Sequence, residues 1–424
     1  MLVAASLGPY TNGDTAWELD ATSGVIKYGL PYANGFNLID QPPVGFYIQA
    51  AFGAIFGLSI GNGTFLATLF GLGCVVCVYI VGGLLYNKVA GVFAAALFAF
   101  SPWHLILSRA FLIDVQCLFF SLLSLTLAVY AFRRGSFKLF FAAGVVFAVA
   151  FNTKLYAAFM LIPLLALFLH YQPKKVKPLL GWLIAFAVPT LIFSFLWYQI
   201  AIGNTLSSVV AHSDFYVHNE TGVAPSAFFV TNFLTSYGLG WFFADAVILS
   251  MIIGFVLHRR FRKFLVIDLI FLAAIISVVS IDTYLGAALD LKAPYQNAVK
   301  YCYQALPFFA LIGGSLVSKC LLLFNFSKEK TGLKKTGFMI VGAAGLALAV
   351  VALIYNMRYV NLFTTGEYLI FRVDPTINFG YSLFNFTPIT QNSPLMIGQY
   401  VGFAVALSGL FWLSKKWVSH ALKK

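Results

Sequence analysis

Residues 101–120 read SPWHLILSRAFLIDVQCLFF, and the residue among them that decides the reading is Asp114. It stands at the head of an apolar run, Val115 to Phe132, that would otherwise be an ordinary membrane helix. A carboxylate near hydrocarbon costs about 2.5–3.5 kcal/mol on insertion scales, so such residues usually mark a site. A second set of acids, Asp14, Glu18 and Asp20, lies in a polar segment far upstream. Together they suggest a carboxylate-lined cavity at one membrane face.

The rest of the chain agrees with a membrane setting. Of its 424 residues 61% are hydrophobic and only 10% charged, with a mean hydropathy of +0.88. A soluble domain averages about 25% charged. The class expected is therefore an all-α polytopic membrane protein. The net charge of +13 does not point to nucleic acid, because its distribution is that of loops. Nineteen of the 27 basic residues fall at 133–138, 174–177, 259–263, 319–335 and the tail, where Glu329 is the one acid. The positive-inside rule makes these the cytoplasmic side, with contact to anionic membrane lipid a secondary role. The five cysteines suggest no disulfide framework, and Cys74 and Cys77, though spaced as CxxC, sit within an apolar helix and read as packed small hydrophobes.

A crossing needs about 20 apolar residues. Apolar segments are read at 44–60, 64–86, 89–101, 111–132, 137–151, 155–171, 179–202, 239–257, 264–281, 304–324, 337–357 and 396–414. From 111 onward they alternate with the basic loops, so the loops near 203–238, 282–303 and 358–395 face outward, as does the 151–154 turn. Three regions follow: an outer loop with amphipathic helices at 1–43, a transmembrane catalytic module at 44–324, and C-terminal helices with an outer loop at 325–424. The first ten residues, MLVAASLGPY, are apolar but too short to span, and read as the end of a first helix that begins before this chain. One parity problem stands. Asp14 and Asp114 share a face only if one of the three apolar segments between them fails to cross, and both 44–60 and 89–101 qualify.

Four constellations carry chemistry. Asp14, Glu18 and Ala21 fall at helical spacing, so 14–26 is expected to form a short amphipathic helix on the membrane surface, with Asp14 either a reactive acid or a helix cap. Pro42-Pro43 sets an extended lead into the next apolar run. Arg109 and Asp114 either serve a site or form a structural ion pair. In the polar turn Asn152-Thr153-Lys154, the lysine either faces the site or snorkels to the interface. The outer loop 282–303 holds Asp282, Asp290, Lys292 and Lys300 and runs into YCYQALP, while the loop 358–395 is rich in aromatics.

The order of these motifs resembles the GT-C membrane glycosyltransferases. The closest likeness is to the dolichyl-phosphate-mannose protein mannosyltransferases and the bacterial aminoarabinose transferases. It rests on a first-loop acid (Asp14), a D-x-P-P motif (Asp40, Gln41, Pro42, Pro43), SP-x-H followed by SR-x-x-x-x-D (Ser101, Pro102, His104, Ser108, Arg109, Asp114), a TK turn (Thr153, Lys154) and a late basic-Tyr pair before a proline (Lys300, Tyr301, Pro307). It covers about residues 12–170 well and 295–315 loosely. Thr15 stands where the family usually has a second acid, Gln41 where relatives carry a basic residue, and Lys300 where an arginine is usual.

The resemblance implies a GT-C fold of about 11–13 transmembrane helices, and a donor in which polyprenyl or dolichyl phosphate carries one sugar. The sugar would pass to an acceptor hydroxyl on protein, lipid or glycan at the non-cytoplasmic face. It also implies Asp14 as the base, with Asp114 the second catalytic carboxylate. Arg109, Lys154 and Lys300 would neutralise the leaving phosphate, and Tyr301, Asp40 and His104 would line the substrate. A divalent cation, Mg or Mn, is the alternative use of the carboxylates, with Glu220 and Glu367 as distant further ligands. Two rivals are a transporter or flippase of lipid-linked or anionic substrates, which should carry charges at mid-bilayer depth, and a non-catalytic relative. Asp245 and Asp268 are the acids nearest to that depth and read as inter-helix contacts.

Overall fold

Small polar residues start several of the helices. Ser59, Asn87 and Ser136 each accept the backbone N–H three residues on, at 3.1, 3.0 and 3.4 Å. Each thereby satisfies one of the donors that a helix start leaves open. The computed structural model describes residues 13–33, 37–38, 41–171, 180–195, 197, 241–288 and 303–364. Asp40, Lys300 and Tyr301 lie outside them, as do Asp290, Lys292, Glu220, Glu367, most of the loop 358–395 and the apolar segment 396–414.

The chain opens with α1 (Gly13–Tyr28). A two-residue antiparallel ribbon follows, β1 (Tyr32–Ala33) with β2 (Asn37–Leu38), pairing Tyr32 with Leu38. Then come α2 (Val44–Phe56), α3 (Ile60–Leu85), α4 (Lys88–Ala99) and the short α5 (Pro102–Leu107). The next pair is α6 (Asp114–Arg134) and α7 (Phe137–Phe151), joined through Gly135 at φ 61°. A 3-10 turn (Leu155–Met160) leads into α8 (Leu161–Tyr171), followed by α9 (Leu180–Phe195). Further on stand α10 (Trp241–Val256), α11 (His258–Ala288), a 3-10 turn (Tyr303–Ala305), α12 (Leu306–Lys328) and α13 (Gly332–Thr364). Five of the described helices are long and apolar enough to cross a membrane: α3, α6, α11, α12 and α13. Shorter apolar helices accompany them.

The parity question has a structural answer. The start of α2 lies at Ile113 and the 152–153 turn: Val44 N–H donates to the Asn152 carbonyl at 2.9 Å. A Cβ on Gly45 would stand 2.7 Å from Ile113 Cγ2. The far end of α2 feeds α3, whose first turn lies against Phe111, leaving no room for a Cβ on Gly63. Both ends of α2 therefore stay beside residues 111–113, as expected of a segment that remains at one end of the bundle. The return path beside α3 is α4 extended by α5. Gly91 packs on Gly82 and Gly83, His104 reaches the Gly71 carbonyl, and the Ser108 carbonyl accepts from Thr68 Oγ1. Twelve residues of α4 reach only about 18 Å, and the bend at Ser101 plus α5 completes the pass.

At the opposite end the basic residues gather. Arg133 bonds the Leu84 carbonyl, and the Arg260 guanidinium stands 4.5 Å over the Phe326 ring. Two sequence expectations change there. The basic stretch 259–263 is helical, inside α11 and bent at Phe261, rather than a loop. Lys319 is not a loop residue but is fully buried within α12, where it pairs with Asp268 of α11. Its amphipathic stem and matched partner make that tolerable where a lone ammonium would not be. Helix α12 is the most buried of the long helices, and Gly314 admits it against α4, where a Cβ would meet the Ala90 carbonyl at 2.5 Å.

Candidate active site

Five pieces of chain meet at the end of the bundle opposite the basic residues. They are α1, the connection 108–113, the start of α6, the turn 152–154 and the 3-10 turn before α12. Asp114 is the first residue of α6, and an acid in a first helical turn is favoured by the exposed N–H groups and the helix dipole. Its carboxylate is 2% exposed and takes Lys154 Nζ on both oxygens, at 2.9 and 3.0 Å. It is Lys154, not Arg109, that pairs with it. The same ammonium lies 5.3 Å from the centre of the Tyr156 ring, within cation–π reach.

The turn that presents Lys154 is held from several sides. Asn152 closes α7 and accepts from Val44 N–H. Thr153 Oγ1 bonds back to the Val149 carbonyl, and Cys117 Sγ donates to the Lys154 carbonyl at 3.6 Å. Gln304 Nε2 donates in turn to Cys117 Sγ at 3.7 Å, which ties the start of α12 to the same point. Cys74, Cys77, Cys117 and Cys320 are all free and buried, consistent with packed thiols.

The first helix reaches this point through Glu18. Its Oε2 accepts the Ile113 N–H at 2.8 Å, across 95 residues of chain. Asp14 stands one turn earlier on the same face of α1, half-buried in the first turn of the helix. The face that α1 turns inward is a mixed one, carrying Thr15, Glu18 and Thr22 beside Ala21 and Val25. Trp17 packs edge-on against Phe46, and Thr22 Oγ1 bonds Gln49 Oε1, which fastens α1 to α2.

Arg109 is buried in the connection just before Asp114. His104 has both ring nitrogens engaged inside the protein, Nε2 on the Gly71 carbonyl at 3.1 Å and Nδ1 with Tyr303 Oη at 2.6 Å. It acts as a strut between α5 and the approach to α12. The sequence set Glu18 among the acids of one cavity without a role of its own, and it gave no role to Tyr303, Cys117 or Gln304. A signal existed for Glu18, one turn after Asp14, and for Tyr303 and Gln304, inside YCYQALP; nothing local marks Cys117. Among the described residues no three His, Cys, Asp or Glu side chains converge as ligands for a metal ion. Asp114 is already held by an ammonium on both oxygens, so this donor set does not fit a divalent cation.

Comparison with known proteins adds to this picture. A family model described as dolichyl-phosphate-mannose-protein mannosyltransferase matches residues 40–198. YkcB of Bacillus subtilis (strain 168), a protein with a mannosyltransferase designation, is 33% identical over 136 residues, which is 32% of this chain and 19% of that protein. YycA of the same organism, with the same designation, is 32% identical over 135 residues, 32% of this chain and 20% of its own length. The matched stretch thus spans about a fifth of the curated relatives. Among solved structures, ArnT from Cupriavidus metallidurans in its apo state superposes with TM-score 0.55 at 14% identity, covering 87% of this chain and 74% of that one. ArnT bound to undecaprenyl phosphate gives 0.56 at 14% identity over 87% and 73%. The apo oligosaccharyltransferase of Archaeoglobus fulgidus gives 0.52 at 14% identity over 84% and 55%. The family model thus matches the part of the chain that holds Asp114 and Lys154, and the solved neighbours share the fold of the chain.

Proposed function

We propose that this protein transfers a single sugar from a polyprenyl-phosphate donor to an acceptor hydroxyl, by base-assisted displacement at the non-cytoplasmic membrane face. The observation that carries the reading is the hydrogen bond from Ile113 N–H to Glu18. One residue from that bond lies Asp114, and one helical turn from it, about 6 Å of rise, lies Asp14. That bond ties the helix carrying Asp14 to the residue before Asp114, whose carboxylate holds the buried Lys154, which supports a shared site for the two acids. The solved neighbour that carries undecaprenyl phosphate favours a lipid-phosphate donor. The gathering of basic residues at the other end of the bundle favours an outward site.

In this reading the Asp14 carboxylate takes the proton of the acceptor hydroxyl, and the freed oxygen attacks the anomeric carbon. The bond from that carbon to the phosphate oxygen breaks, and the lipid phosphate leaves as an anion. That leaving group needs charge neutralisation more than a proton, and fixed cations in a dry setting supply it best. Lys154 is the cation held nearest to Asp114, with Arg109 beside it and Lys300 contributed by the later loop. Asp114 keeps Lys154 in place and shares its charge with the departing phosphate. Tyr301 and Asp40 complete the substrate lining, and the acceptor is a protein, lipid or glycan hydroxyl. No step runs through a metal ion.

The decisive experiment uses purified protein with labelled polyprenyl-phosphate sugars and a panel of acceptors. Wild type is expected to release the lipid phosphate and label an acceptor. Asp14→Asn is expected to abolish transfer while membrane insertion and donor binding stay largely intact. Full transfer by that variant would exclude Asp14 as base. A wild type that moves lipid-linked substrate across vesicles without cleaving it would favour the transporter instead.

A further inference from the structure

Glu18 takes no part in the displacement just described, yet it is the most confined carboxylate of α1, only 1% exposed. We propose that Glu18 is a positioning residue: through its bond to the Ile113 N–H it holds α1 on the start of α6 and so sets the separation of Asp14 and Asp114. This rests on the transferase reading above and deepens it.

The residue before α6 is Ile113, whose side chain cannot accept a hydrogen bond, so the helix begins without a side-chain cap. Bulk water does not reach this start, because Ala110, Phe111, Leu112 and Ile113 are fully buried. A buried, unpaired backbone N–H is costly. In an ordinary capping box a Glu or Gln three residues past the cap reaches back to that N–H. Here the residue in that position is Gln116, and its buried Oε1 has no hydrogen-bond partner among the described residues. Glu18 fills the role from a different helix. A negative charge at a helix start is also favoured by the dipole.

The same residue fixes α1 from its other side. The Glu18 carbonyl accepts from Thr22 Oγ1 at 2.7 Å, and that hydroxyl also lies 2.8 Å from Gln49 Oε1 of α2. Helix α2 in turn is bonded at its start to the Asn152 carbonyl, two residues from Lys154. The path α1–α2–turn–α6 is thus closed, and the Glu18 bond adds a direct hydrogen bond from α1 to the residue that starts α6, beside the apolar packing of Ala21 and Val25 with Ile113. Without it, α1 remains attached through α2, but Asp14 loses its register against Asp114.

The test compares Glu18→Ala, Glu18→Gln and Glu18→Asp in the full chain. Two readouts are taken: backbone amide exchange over residues 113–117, and steady-state transfer with a polyprenyl-phosphate sugar. Glu18→Ala should lose protection at Ile113 and lower kcat roughly tenfold to a hundredfold, with donor KM little changed. Glu18→Gln keeps the acceptor oxygen, so it should keep the protection and recover most of kcat. Glu18→Asp, shorter by one methylene, should fall between them. Unchanged protection in Glu18→Ala would overturn the proposal. So would retained protection in Glu18→Gln with kcat as low as in Glu18→Ala, since the charge and not the link would then be what matters. If Glu18→Ala does not yield folded protein, the Gln and Asp variants decide on the same two readouts. A wild type without transferase activity sinks the functional reading separately, while amide exchange still reports whether Glu18 holds α6.

Discussion

The pair Asp114–Lys154 has opposite consequences for stability and for chemistry. Each ion taken out of water costs several kcal/mol, recovered only where geometry and hydrogen bonds are good. Here the ammonium meets both carboxylate oxygens, and a tyrosine ring lies near it. Removing one partner strands the other. Asp114→Ala should therefore lower stability by about 3–5 kcal/mol, read as thermal unfolding in detergent, and should abolish transfer. The double variant Asp114→Ala with Lys154→Met should regain most of the stability and none of the transfer. Regained transfer in the double variant would make the pair purely structural. The sequence marked both residues as site candidates but could not join them: Asp114 heads an apolar run, Lys154 follows a different helix, and the nearer cation by number was Arg109.

At the scale of elements, glycines decide which helices touch. Gly45 lets the start of α2 lie on Ile113, and a Cβ there would stand 2.7 Å from Ile113 Cγ2 and 3.0 Å from Thr153 Cγ2. Gly45→Ala should cost about 1–3 kcal/mol by overpacking and reduce turnover, because α2 carries α1. Gly61, in the first turn of α3, has only Ser59 Oγ within 4 Å of such a Cβ, at 3.9 Å. Gly61→Ala should be neutral or stabilising by up to about 1 kcal/mol. Parallel thermal unfolding of the two variants checks both, and equal effects would contradict the close approach. Helix α4 teaches a related lesson. Its apolar stretch is too short for a crossing by residue count, but α5 extends its path along α3 past the bend at Ser101.

Among the described helices, the candidate site and the basic residues lie at opposite ends of the bundle. Asp114, Lys154, Glu18 and Tyr303 stand at one end, and Arg133, Arg260 and Lys328 at the other. Between them lies one further buried pair, Asp268 with Lys319. The ammonium also bonds the Ser250 carbonyl and hydroxyl, and the carboxylate also accepts from Tyr86 and Ser315. All three ammonium protons have acceptors within the protein, as befits a contact between helices and not a conduction site. Asp268→Asn or Lys319→Met alone should destabilise by about 3–5 kcal/mol, whereas Asp268→Leu with Lys319→Met should recover most of it. Unfolding in detergent measures this, and a single variant as stable as wild type would show that the pair does not lock α11 to α12.

Hydropathy alone was enough for the membrane class and for most helix limits, because burial in lipid demands long apolar runs wherever a chain crosses. Spacing and residue type were enough to nominate Asp14, Arg109, Asp114 and Lys154, since charge next to such runs is too costly to be idle. Tertiary structure decided the rest: that 44–60 stays at one end, that Lys319 is an interior cation, that His104 is a strut, and that Glu18 closes the start of a helix 95 residues away. Each of these depends on which surfaces meet across long separations in the chain, and neither composition nor periodicity encodes that meeting locally.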